Sequence, residues 1–154
     1  MKRCIAISLL LCGLLNAEAL SPECYRDNEK NVVVCSEKKL ERLMWQDEEQ
    51  SFEGTWDEAQ EYCKKLSLAG YKDWRLPTRM ELLSTTDNSR YKPAINKAFK
   101  NVAYETNNKG EKMYWSSIKY VGDQWSVWLV NFESGKDNFG DVFNRYFVRC
   151  VREE

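Results

Sequence analysis

Apolar and polar positions alternate in three different ways along the chain, and each pattern predicts a different kind of segment. Residues 4–15 form an apolar run behind Lys2 and Arg3, followed by Ala17, Glu18 and Ala19. That order is a secretory signal peptide, residues 1–19, with cleavage after Ala19. The 12 positions of the run reach about 18 Å as a helix, short of the roughly 20 residues a membrane crossing needs. Lipidation at Cys12 is the alternative, but it would place the bulky Leu11 where such signals carry a small residue.

Beyond residue 20 the periodicities change. A polar turn, Arg26 to Asn31, precedes Val32, Val33 and Val34, which predicts a hairpin over residues 20–39. Leu40, Leu43, Met44 and Trp45 make a short apolar segment. Thr55 and Glu58 then stand at capping-box spacing before Trp56, Ala59, Cys63 and Leu66, with Gly70 suited to a left-handed stop, which predicts a first helix. Thr78 and Glu81 repeat the box after Pro77 and open a second helix carrying Met80, Leu82 and Leu83. The second half is strand-like: residues 114–117, 125–132 and 145–152 are rich in aromatic and β-branched side chains, separated by Gly122, Gly135 and Gly140. Residues 125–132 are apolar on both alternating faces, the mark of a central strand covered on both sides.

Composition narrows the function. With 154 residues, 43% of them hydrophobic, the chain is large enough for one domain with a real core. Its net charge of -1 lacks the electrostatic footprint of a nucleic-acid binder. The absence of histidine removes Ser-His-Asp and Cys-His catalysis and imidazole zinc sites. Without the leader, Cys24, Cys35, Cys63 and Cys150 remain, an even number for an oxidising compartment. Four cysteines allow three pairings; the polar turn favours Cys24 with Cys35, which leaves Cys63 with Cys150. No two of these cysteines are closer than 11 positions, which disfavours a four-thiolate zinc site.

Five blocks of residues in order carry a family resemblance: Leu43-Met44-Trp45-Gln46-Asp47; Thr55-Trp56-Asp57-Glu58-Ala59 with Tyr62-Cys63; Gly70-Tyr71-Lys72-Asp73-Trp74-Arg75-Leu76-Pro77-Thr78 with Glu81-Leu82; Tyr114-Trp115-Ser116-Ser117; and Val148-Arg149-Cys150-Val151-Arg152. From about residue 43 to residue 152 the chain resembles the Lcl C-terminal domain family, named for the C-terminal domain of a bacterial collagen-like adhesin. The resemblance implies an α+β, C-type lectin-like fold: two short helices on a twisted, mainly antiparallel sheet over residues 40–154. The hairpin over residues 20–39 lies outside the match, although long-form C-type lectin domains carry a comparable disulfide-closed hairpin before the core. The resemblance also supports the bridge from Cys63 to Cys150, since lectin-like domains join their first helix to their last strand. The Glu-Pro-Asn, Gln-Pro-Asp and Trp-Asn-Asp motifs of calcium-dependent sugar binding are absent from the sequence, so that mechanism does not carry over.

Candidate chemistry is sparse. Asp137, Asn138 and Asp141 beside Gly140 are oxygen ligands that could attract calcium, though a solvated turn explains them more simply. Asp57, Glu58 and Glu61 read as a solvated helix face rather than acid–base catalysts, and each residue of the Trp74 to Thr78 block has a structural duty. Charge is uneven: residues 37–61 sum to -6 and residues 90–119 to +5. The basic stretch is interleaved with Tyr91, Tyr104 and Tyr114, so Tyr104, Lys109, Lys112 and Tyr114 are the expected ligand-binding residues, for an anionic glycan or an acidic envelope protein. The sequence therefore reads as an exported binding module, periplasmic or extracellular, with no catalytic residues, metal or cofactor. A structural subunit of an envelope complex is the first alternative, and an oxidase resembling formylglycine-generating enzymes, which needs reactive thiols, is the second.

Overall fold

The computed structural model describes residues 23–36, 42–105 and 110–154. The leader over residues 1–19, the Cys12 lipidation reading and Lys109 lie outside the described residues. The described residues form nine strands, arranged in two sheets, and two helices. Strands β1 (Glu23–Asp27), β2 (Val32–Ser36), β3 (Leu43–Gln46) and β9 (Val151–Glu153) make an antiparallel sheet in that order. Strands β4 (Glu53–Gly54), β5 (Met113–Lys119), β6 (Ser126–Asn131), β7 (Lys136–Asp141) and β8 (Tyr146–Phe147) make a second sheet, ordered β4-β8-β5-β6-β7, in which only the β5–β8 pair is parallel. The expected single sheet is thus two. The 145–152 segment is broken into β8 and β9 because it pairs first with β4 and β5, then with β3.

Strand alternation divides the interior into two packed clusters. Val32, Val34, Met44, Met113, Trp115, Val127 and Leu129 face one side, with Ala59 and Cys63 of helix α1 (Trp56–Lys65). Val33, Leu43, Trp45, Tyr114, Val130 and Phe132 face the other, with Leu82 of helix α2 (Arg79–Ser84). Each large side chain buried here contributes about 1.5–3 kcal/mol relative to exposure. Both faces are therefore covered, which is why β2, β3 and β6 read as nearly continuous apolar runs.

Both helices begin at the predicted capping boxes. The Thr55 hydroxyl accepts from the Glu58 amide while the Glu58 carboxylate accepts from the Thr55 amide, and Thr78 and Glu81 do the same. Helix α1 ends at Leu66, earlier than the expected glycine stop; Gly70 instead takes its φ of 85° in the turn that brings Leu68 against Tyr71. Met80 points outward while Leu82 is buried.

The block from Trp74 to Thr78 is scaffold in this structure. Trp74 and Leu76 are buried, and Arg75 exchanges both backbone hydrogen bonds with Val151. The Ser117 amide donates to the Pro77 carbonyl at 2.7 Å. The Arg75 guanidinium donates to both oxygens of Glu81, at 2.9 and 2.8 Å. Burial pushes the Glu81 carboxyl upward, but Arg75 and the Thr78 amide outweigh it and hold it below its ordinary value. Thr78→Ala is expected to cost about 1 kcal/mol through the lost cap, read as a lower urea midpoint at unchanged slope.

Two disulfides close the fold, Cys24 with Cys35 and Cys63 with Cys150, as the sequence predicted. The first links directly opposed residues of β1 and β2. The second ties α1 to the segment entering β9 inside the core, where both cysteines are fully buried.

Candidate ligand-binding surface

Four described cations of the basic segment do not gather on one face. Lys92 pairs with Glu133 at 3.1 Å, Lys100 donates to Asn28 at 3.1 Å, Lys112 lies 5.1 Å over the Phe147 ring, and Lys119 lies 5.4 Å over the Trp56 ring. Four cations thus rest against four different parts of the fold. Tyr114 corrects the expectation outright: it is fully buried, because β5 is covered on both faces, and its hydroxyl accepts from the Ala103 amide at 2.8 Å. Tyr104 is half-buried against the cluster on the α2 side. Tyr104 and Lys112 are the only expected ligand contacts, among the described residues, that keep some exposure.

The oxygen ligands near Gly140 do not converge either. They lie on strand β7, not on a turn, so their side chains alternate between faces. Asp137 pairs with Arg79, the Asn138 side chain accepts from the Phe139 amide, and the Asp141 carboxylate accepts from the Phe143 amide. A Cβ at position 140 would stand 2.8 Å from Leu129 Cδ1 and from the Tyr146 hydroxyl, so any larger residue there would have to displace one of them. On α1, Glu58 is committed to the helix cap and to Arg145, and Glu61 pairs with Lys64 and Lys65.

A charged node that the sequence did not announce lies in the interior. The Asp47 side chain is fully buried, and its carboxylate receives Arg149 at 2.7 Å, Arg26, and the amides of Lys100 and Asn101 at 3.0 and 3.2 Å. Arg149 also donates to the carbonyls of Gln46 and Asn101, at 2.8 and 2.6 Å, and stands 4.9 Å over the Phe99 ring. Burial lowers the Arg149 pKa, yet an arginine stays charged under all working conditions. One carboxylate therefore joins the β1–β2 hairpin, the approach to β9 and the 99–102 loop. The cavity beside it has about 10 Å³ of space, room for a water and not for a substrate. Its role is to hold loops in place.

The surface with the strongest binding character lies at the far end of β5, β6 and β7. Trp125 is 51% exposed and Phe143 is 70% exposed, and their ring centroids are 5.7 Å apart with planes tilted by 32°. Beside them Tyr120 stacks on Phe139 at 4.2 Å, Trp128 meets both edge-on, and Arg79 sits 3.7 Å over the Trp128 ring. The backbone under the rings is pinned. Asp123 accepts from the Trp125 amide and the Ser126 hydroxyl, and these contacts, the amide first, hold its carboxyl below the ordinary range. The Val142 amide donates to the Trp125 carbonyl at 2.8 Å. Hairpin register brings Trp125 and Phe143 together, and no spacing in the sequence marks the pair. Strand β7 is the edge of its sheet but is poorly suited to strand addition: it carries Lys136, Asp137 and Asp141, and the Asn138 side chain occupies the Phe139 amide.

Among the described residues no helix is long and apolar enough to cross a membrane. A family model described as the Lcl C-terminal domain matches residues 35–152, about three quarters of the chain. No curated protein matches the sequence.

Proposed function

The chain belongs to the Lcl C-terminal domain family, and on that premise we propose that it is an exported, non-catalytic binding module that recognises a surface glycan, an envelope polymer or an envelope protein through its aromatic end. The observation that carries the reading is the Trp125–Phe143 pair, two large rings more than half exposed on a rigid backbone. Solvent-exposed apolar rings cost free energy unless a partner covers them, and rigid aromatic side chains are enriched among residues that dominate binding. The disulfides suit an oxidising compartment and agree with the leader-like residues 1–19. With all four cysteines among the described residues paired, the thiols that an oxidase of the formylglycine-generating kind would draw from them are committed to structure. We read the fold as C-type lectin-like, on the strength of two capped helices and a core disulfide from the first helix to the entry of the last strand.

The test is capture of envelope material by the immobilised protein. Trp125→Ala and Phe143→Ala are expected to reduce capture about tenfold each without moving the melting temperature. Capture that survives both changes and is lost on Lys112→Glu would return the site to the basic segment and overturn the assignment.

A further inference from the structure

Resting on the reading of the aromatic end as the binding surface, we propose that its ligand is an uncharged polysaccharide whose pyranose rings stack on Trp125 and Phe143. The two rings are tilted by 32° with centroids 5.7 Å apart, and both side chains are more than half exposed. The faces of aromatic rings carry negative quadrupole charge and attract the polarised C–H groups that line one side of a sugar ring. A stacked sugar also needs partners for its hydroxyls, and the rim supplies them. Asp141 uses Oδ1 to hold the Phe143 amide, and its Oδ2 has no partner among the described residues. Asn144 follows on the same turn, its amide donating to the Asp141 carbonyl.

Charge selects against a polyanion. The aromatic end carries Arg79, Lys119 and Arg145 against Asp123, Asp137, Asp141 and Glu58, and Arg79 is paired with Asp137. Arg145 is taken up by Glu58 at 2.8 Å and by the Glu53 carbonyl at 2.7 Å, and Lys119 rests over Trp56. Among the described residues no pair of unpartnered cations stands there to clamp a sulfate or carboxylate, and the charges around the rings are balanced or slightly acidic. The anionic ligand expected from the basic segment is therefore replaced by a neutral one at a different place. Pinning of each ring's backbone by Asp123 and Asp141 reduces the ordering cost of binding.

Calorimetric titration of the protein with cellotetraose, tetra-N-acetylchitotetraose and dextran, alongside a heparin oligosaccharide, tests the proposal. At least one neutral probe is expected to bind with an affinity that changes less than about twofold between low and high salt, since no exposed ion pair carries it. That affinity is expected to fall about tenfold in Trp125→Ala and in Phe143→Ala and to be retained in Trp125→Tyr, all three with unchanged melting temperatures. Binding of heparin alone, fading with salt, would overturn the proposal, and so would failure of all three neutral probes. In either case continued loss of envelope capture in the two alanine variants leaves the binding-module reading standing, whereas unchanged capture removes both.

Discussion

Asp47→Ala is expected to destabilise the domain by about 3–5 kcal/mol, the usual cost of removing one partner of a buried ion pair. The carboxylate is fully buried and compensates two guanidiniums that cannot shed their charge, Arg149 at 3% exposure and Arg26 at 9%. Its loss also strands the amides of Lys100 and Asn101, which donate to it. Against a typical total stability of about 5–15 kcal/mol, this single change removes a large share. Asp47→Asn keeps an acceptor but loses the charge and turns an NH2 group toward donors, so it should fall between alanine and wild type. Urea unfolding measures both, with a lower midpoint at constant slope. A shift below about 1 kcal/mol for Asp47→Ala would mean that the node is solvated and does not hold the loops.

Removing the Cys63–Cys150 bridge as a double alanine variant is expected to cost more than removing Cys24–Cys35. Sequence separation decides the order, 87 positions against 11. In the chain-entropy model the long loop is worth about 4 to 5 kcal/mol and the short one about 3 kcal/mol. Packing enlarges the gap, because Cys63 and Cys150 are fully buried beside Trp74 and Trp115, whereas Cys24 is half-exposed on an edge strand. Thermal unfolding of the two variants gives the comparison, and the reverse order would show that the hairpin, not the core bridge, limits stability.

These two features differ in how visible they are in the sequence. The disulfide pairs could be read because export, even number and a local turn restrict them. The capping boxes could be read because Thr55–Glu58 and Thr78–Glu81 need only residues three apart, and the structure uses both. Asp47 could not be read as a node: its partners are 21 positions away at Arg26 and 102 away at Arg149, and nothing local distinguishes it from the acidic residues that follow.

The burial of Tyr114 escaped the sequence for a related reason. Where strands are covered on both faces, alternation no longer separates inside from outside, so Tyr114 between Met113 and Trp115 gave no hint of full burial. Strand β7, with its aspartates, asparagine and glycine, has the composition of a turn. It becomes a strand because β6 supplies a long antiparallel partner, from Ser126 opposite Asp141 to Asn131 opposite Lys136. That same register sets Phe139 opposite Trp128 and brings Phe143 to Trp125, an arrangement made by topology.

Hydrogen–deuterium exchange of the protein, with and without a saturating fraction of captured envelope material, tests the central claim most directly. The aromatic-end assignment predicts new protection confined to residues 118–128 and 139–144, with the Asp47 node and residues 104–112 unchanged. Protection centred on residues 104–112, with none at Trp125 or Phe143, would contradict it.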